Sequence, residues 1–249
     1  MDLSLGTYLA LIVLAAAGGA ALPLLGRWSQ RQLHLFVAFG AGVFLGAIFF
    51  HLLPESLAQG DDRSAQFSIL AGFLLVLVVD RVAVPRGEAG AESPGERSDM
   101  GRHRAIGFTA MVGLSLHSFT AGVALGLGHT NPQISLVIFL AIISHKAVAA
   151  FSLATVFKLS NQALRRSLVL LALFAASTPL GALMALPLVP SLSQWQPAVP
   201  LALATGTFMY VATVNLLPEA FHQPYRRAGT FAALGLGILM MAVISRFGG

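Results

Sequence analysis

Two histidines stand in the middle of long apolar runs: His117 within Leu116-His-Ser-Phe-Thr-Ala-Gly-Val-Ala-Leu125, and His145 within Ser144-His-Lys-Ala-Val-Ala-Ala-Phe-Ser-Leu153. A polar side chain far from both membrane interfaces costs a few kcal/mol, so such residues are kept where they hold a ligand or line a pathway. Each histidine lies about twelve residues into its run, or roughly 18 Å at 1.5 Å per residue, which places both near the bilayer midplane. Imidazole nitrogens at equal depth can grip Zn²⁺, Fe²⁺, Ni²⁺ or Co²⁺, ions that favour nitrogen over purely oxygen sites. The competing reading is a histidine hydrogen-bonded to backbone or to a neighbouring hydroxyl, which Ser118 and Ser144 supply. The chain has no cysteine, so any metal must bind through His, Asp, Glu, Asn or Ser.

A second set of polar residues ends two related segments. Gly42-Val-Phe-Leu-Gly-Ala-Ile-Phe-Phe-His-Leu-Leu-Pro-Glu55 matches Gly206-Thr-Phe-Met-Tyr-Val-Ala-Thr-Val-Asn-Leu-Leu-Pro-Glu219 without a gap at Gly, Phe and the whole Leu-Leu-Pro-Glu. The segments bring His51 and Glu55 to one end of the pathway, and Asn215, Glu219 and His222 to the other. Each Pro-Glu pair also suits an ordinary helix terminus at the water interface. Asp80 beside Arg81 reads as a solvated helix-end charge pair, and His34, His103 and His129 as surface residues at ends or in loops.

These side chains need a membrane scaffold to position them. Apolar residues make up 56% of the 249-residue chain and charged residues 10%, with a mean hydropathy of +0.79, a composition that excludes a soluble domain. Apolar stretches at 5–25, 33–53, 66–85, 105–128, 133–157, 167–190, 199–221 and 228–247 are each long enough to cross a ~30 Å hydrocarbon core. The expected fold is therefore all-α, with eight transmembrane helices in one domain over residues 1–249. No signal-peptide features flank the first stretch, which is expected to remain.

Of the 15 Lys and Arg, all but Arg63, Lys146 and Arg246 fall in loops on one side if the helices alternate. Basic residues favour the cytoplasmic side, which places both termini outside. The high pI thus reflects topology, and no nucleic-acid partner is expected. The segment 86–104, rich in Gly, Glu, Ser, Pro and Arg, reads as a flexible cytoplasmic loop. Helices 2 and 7 cross in opposite directions, so their shared motif implies an inverted repeat of helices 1–3 and 6–8 around a central pair, 4 and 5. Small residues such as Gly42, Gly46, Gly113 and Gly122 favour close helix approach.

With His-Ser-Phe-x-x-Gly-x-Ala-Leu-Gly in helix 4, His-Lys followed by Phe-Ser-Leu-Ala in helix 5, His-Leu-Leu-Pro-Glu in helix 2 and Gly-Thr-Phe-Met-Tyr-Val in helix 7, the chain resembles the ZIP (Zrt-, Irt-like) divalent-metal transporters over all eight spans. The resemblance implies helices 1, 4, 5 and 6 moving against a scaffold of helices 2, 3, 7 and 8, with metal held between helices 4 and 5. His117 and His145 are the candidate ligands there, with Ser118 beside them and, by topology, His51, Glu55, Asn215 and Glu219 along the route.

The chain departs from the family where carboxylates are usual. Ala121 and Ala149 stand four residues after His117 and His145, Lys146 replaces Asn or Asp, and Asn215 replaces an acid. A carboxylate about 4 Å from a divalent ion contributes roughly 8 kcal/mol of gross attraction at an effective dielectric of 20. A weaker site follows from losing two of them. Pro179 is expected to kink helix 6 and free carbonyl groups near the site, where Ser177 and Thr178 add hydroxyl oxygens that partly replace them.

The expected function is a divalent-cation transporter for zinc or iron, with Mn²⁺ and Cd²⁺ as further substrates. It would move metal into the cytoplasm by alternating access, with no enzymatic activity, no cofactor and no nucleotide, since the chain lacks a phosphate-binding loop. It would sit in the lipid bilayer as a multi-pass protein, at the inner membrane if bacterial, with a homodimer as one open oligomeric state. Two alternatives stand: a degenerate relative without metal conduction, and an intramembrane zinc hydrolase built on His51, His117, His145 and Asp80 with a serine.

Overall fold

The computed structural model describes residues 4–58, 62–83, 96–189, 198–222 and 227–247. Among them, eight helices are long and apolar enough to span a membrane, and no strand occurs. They are α1 (Leu5–Leu25), α2 (Gln30–Ala58), α3 (Asp62–Ala83), α4 (Glu96–Gly128), α5 (Pro132–Leu159), α6 (Leu164–Ala185), α7 (Val199–Ala220) and α8 (Arg227–Phe247). In hydrocarbon a backbone must satisfy its own hydrogen bonds, and a helix does so within one segment.

Side chains settle the helix ends. Ser29 and Gln32 form a capping box at the start of α2, and Asn131 accepts from Gln133 and Ile134 N–H ahead of Pro132 at the start of α5. Asn161, in the left-handed region at φ 50°, turns the chain from α5 into α6. Helix α4 begins at Glu96, inside the segment 86–104 expected to be a loop. Residues 96–104 are thus helical, and 86–95 lie outside the described residues.

Over an apolar 18-residue stretch of each span, α2, α4, α5 and α7 are 56% to 72% buried, against 17% to 39% for the outer spans α1, α3, α6 and α8. Helices α1, α4, α5 and α6 pack on one another, as α2 packs on α7 and α8, and α3 on α7. The two sets meet where α4 lies against α7 and α5 against α2.

Helices α2 and α7 are each interrupted at the same place in the shared motif. The turn Ile48–Leu52 in α2 and the turn Val211–Leu216 in α7 are π-helical. Leu53 N–H bonds the Ile48 carbonyl and Leu217 N–H bonds that of Ala212, five residues back in each case. Pro54 and Pro218 follow at once. Proline has no N–H to donate and its ring crowds the carbonyl four residues earlier, and the wider turn relieves that crowding. Pro179, by contrast, sits inside α6, which stays helical from Leu164 to Ala185.

Close approach of backbones holds the first of these sets together. A Cβ at Gly122 would collide with the Thr178 carbonyl, and one at Gly181 with the Phe119 carbonyl, so α4 and α6 touch at reciprocal glycines. Gly235 on α8 has open space beside it. Gly122→Ala is therefore expected to destabilise the protein by about 1–3 kcal/mol, while Gly235→Ala leaves it unchanged. Thermal unfolding in detergent checks this, and equal melting temperatures for the two variants would contradict the close packing.

Candidate metal centre

His117 on α4 and His145 on α5 face each other across the centre of the bundle. Their Nε2 atoms are 3.2 Å apart and both rings are buried. His117 Nδ1 donates to the Ala204 carbonyl of α7 at 2.8 Å. A carbonyl only accepts, so the proton is fixed on Nδ1 and the lone pair of Nε2 is turned toward His145. Phe208 of α7 lies against both rings, stacked on His117 at 4.4 Å between centroids and 5.2 Å from His145. Phe44 of α2 backs it at 4.3 Å.

The 3.2 Å separation has a chemical meaning. Two nitrogens bound at about 2.0–2.1 Å to one tetrahedral zinc ion stand roughly 3.3 Å apart. The two imidazoles are thus already spaced as a pair of ligands, with the proton of His145 Nε2 the one to be displaced. His51 lies in the π turn of α2, and Glu55 follows it four residues later on the same helix. Its Nε2 is buried with no hydrogen-bond partner.

Lys146 turns away from this pair. Its Nζ donates to Ser118 Oγ at 2.9 Å and Thr178 Oγ1 at 3.0 Å, and stands 4.0 Å from the centroid of the Phe174 ring. The residue is 2% exposed, and no carboxylate among the described residues is paired with it. Ser118, expected as a metal ligand, accepts from this ammonium. Ser177 bonds the Leu173 carbonyl of its own helix at 3.0 Å. Ala121 and Ala149 are buried in the apolar core.

A second cluster lies at the end of the bundle where α2 starts and α7 finishes. Ligand atoms of His34 (α2), His103 (α4) and Glu219 (α7) all lie within 4.8 Å of one another, and all three residues are buried. Glu219 Oε1 is 2.8 Å from His103 Nε2 and 3.7 Å from His34 Nδ1. Its Oε2 accepts from Arg102 at 3.0 Å, and Arg102 also contacts His222. Between the two clusters Asn215, in the π turn of α7, has a buried Nδ2 without a hydrogen-bond partner.

Two expectations are corrected here. His34 and His103 are buried partners of Glu219 rather than surface residues, a role visible only once topology puts all three at one membrane end. Asp80 is buried too, accepting from Thr109 and Tyr210 at 2.8 Å each, with Arg81 3.9 Å away. Phe208 and the Ala204 carbonyl carried no chemical signal in the sequence, although Phe208 belongs to the repeated Gly-x-Phe.

Comparison with known proteins bears on what this geometry does. A family model described as ZIP zinc transporter matches residues 3–86 and 83–245. Zinc transporter ZIP1 of Takifugu rubripes is 27% identical over 88% of this chain and 86% of its own length. Zinc transporter ZIP9-A of Xenopus laevis is 29% identical over 90% and 91%, and zinc transporter ZIP1 of Homo sapiens 29% over 76% and 71%.

The Lys146 environment yields a measurable expectation. Ser118→Ala or Thr178→Val leaves a buried ammonium with one acceptor fewer, which should cost about 1–3 kcal/mol each. The double variant should lose more than the sum, because it strips both hydroxyls. Unfolding of the four proteins in one detergent tests it, and an unchanged melting temperature in the double variant would rule out this role.

Proposed function

The chain belongs to the ZIP zinc transporter family, and from that membership and the geometry we propose that it carries zinc across the membrane through the His117–His145 pair. The observation that carries this is the 3.2 Å spacing of two buried Nε2 atoms at the centre of a membrane-spanning bundle. Zinc suits a pair of neutral imidazoles better than harder cations do. Iron, manganese and cadmium are secondary substrates in this reading.

The route runs from His51 and Glu55, past the central histidines, to Asn215 and then to the His34–His103–Glu219 cluster. The last is an exit station on the cytoplasmic side, set there by the basic residues at that end of the bundle. Both termini are then outside. At the exit Arg102 competes with the ion for Glu219, which favours release.

Alternating access follows from how the helices pair. Helices α1, α4, α5 and α6 move as one group against α2, α3, α7 and α8. An inverted repeat is supported by the matched π turns and by the packing, since α2 on α8 corresponds to α7 on α3, and α4 on α6 to α5 on α1. The His117–Ala204 hydrogen bond crosses the boundary between the groups, so it breaks when they separate.

The central site is weak by design of its residues. Two alanines stand where carboxylates would add attraction, and the Lys146 charge is one residue from a ligand. Fast release accompanies weak capture. Should the parent protein in liposomes take up none of Zn²⁺, Fe²⁺, Mn²⁺ or Cd²⁺, the degenerate reading, favoured by buried Lys146, would replace this one.

Three outcomes are expected. In proteoliposomes the parent takes up Zn²⁺ and His117→Ala or His145→Ala abolishes uptake; uptake that survives both would exclude the central pair. Ala121→Glu, one turn from His117 on the same face, should tighten Zn²⁺ binding at least about tenfold, some 1.4 kcal/mol, by titration in detergent. Because the chain has no native cysteine, single thiols at Arg165→Cys and His129→Cys should label from opposite faces, inside and outside respectively; labelling from one face refutes the topology.

A further inference from the structure

Helices α1 and α6 do not close against each other along their whole length. Between them lies a groove of about 660 Å³, floored by small residues such as Ala16, Ala20, Ala172 and Ala176 and rimmed by leucines, including Leu25 and Leu164. From Leu25 to Val13 it follows α1 for about 18 Å, more than half of a ~30 Å hydrocarbon core. Its rim is exposed, with Leu25 at 85%, Leu168 at 51% and Leu183 at 54%. In a membrane this opening faces acyl chains, and its length fits one of them end-on from the surface.

What stands at the mouth is not neutral. Arg27 follows Leu25 by two residues, and Arg165 and Arg166 follow Leu164 directly; all three are exposed. Among the described residues, none of these guanidiniums is paired with a carboxylate. Lys158 adds a fourth cation, its Nζ donating to the Leu24 and Gly26 carbonyls at 3.2 Å each. An apolar slot that opens between cations unpaired with any carboxylate complements a molecule with a hydrophobic tail in line with an anionic head.

We propose that the α1–α6 groove is a binding site for an anionic phospholipid, with one acyl chain lying along the alanines and the phosphate held by Arg27, Arg165 and Arg166. The site is separate from the metal route: none of the histidines or carboxylates of that route lines it. It wedges the outer faces of α1 and α6, two helices of the group that carries His117 and His145.

The test uses full-length protein in nanodiscs of equimolar phosphatidylcholine and phosphatidylglycerol, extracted into detergent, with retained lipid read by native mass spectrometry. The parent should keep phosphatidylglycerol in preference to phosphatidylcholine by about tenfold or more, as expected for several cations at a membrane surface. R165Q/R166Q, at exposed positions that leave the fold intact, should bring the two lipids close to parity. Ala176→Phe, filling the groove, should lower retention of both. Equal retention by the parent, or an unchanged preference in R165Q/R166Q, overturns the proposal. So does a dimer cross-linked through Leu168→Cys that carries no lipid, because a second copy would then be the occupant.

Discussion

A polar side chain inside hydrocarbon has no water to fall back on, and three of the polar groups in the middle of this bundle show how that constraint is met. His117 reaches the Ala204 carbonyl, Lys146 the hydroxyls of Ser118 and Thr178, and Asp80 those of Thr109 and Tyr210. Each of these bonds joins different helices. The polar residues therefore do what apolar packing does poorly in a membrane, where lipid tails are as apolar as leucine: they set the register of one helix against another. The reciprocal glycines allow the backbones to come near enough for such short reaches.

The same constraint explains the most unusual residue in the structure. An ammonium beside a cation site opposes the ion by simple repulsion. Lys146 is not placed to answer that with a carboxylate. It is turned about 100° around α5 from His145, as successive helical residues are, and is caged by two hydroxyls and the face of Phe174. The central pair is left with imidazole, aromatic and backbone surroundings, neutral groups that suit the soft cation of the proposed route.

Much of the fold was legible because membrane helices announce themselves by length and composition, and the spans read from apolar runs agree closely with the helices. The central histidines were legible for the complementary reason, since imidazole at mid-depth is costly enough to need a purpose. What escaped was relational. His34 and His103 look like surface residues when taken singly, and only the packing of α2, α4 and α7 turns them toward Glu219. The helical start of α4 at Glu96 was hidden by a run rich in Gly and Pro just before it, which masks where disorder-favouring composition stops. The Ala204 carbonyl could not be seen at all, because backbone acceptors have no letter in a sequence.

That carbonyl gives His117 a second character. Its proton sits on Nδ1 only while α7 is close enough to accept it, so the tautomer of one imidazole encodes the distance between two helices. In the alternating access proposed above, parting of the helices would free the ring to move its proton to the other nitrogen and occupy the very lone pair that a metal would use. Coordination chemistry and mechanical position are in this way written on the same five-membered ring, and the bundle gauges its own geometry through a single hydrogen atom.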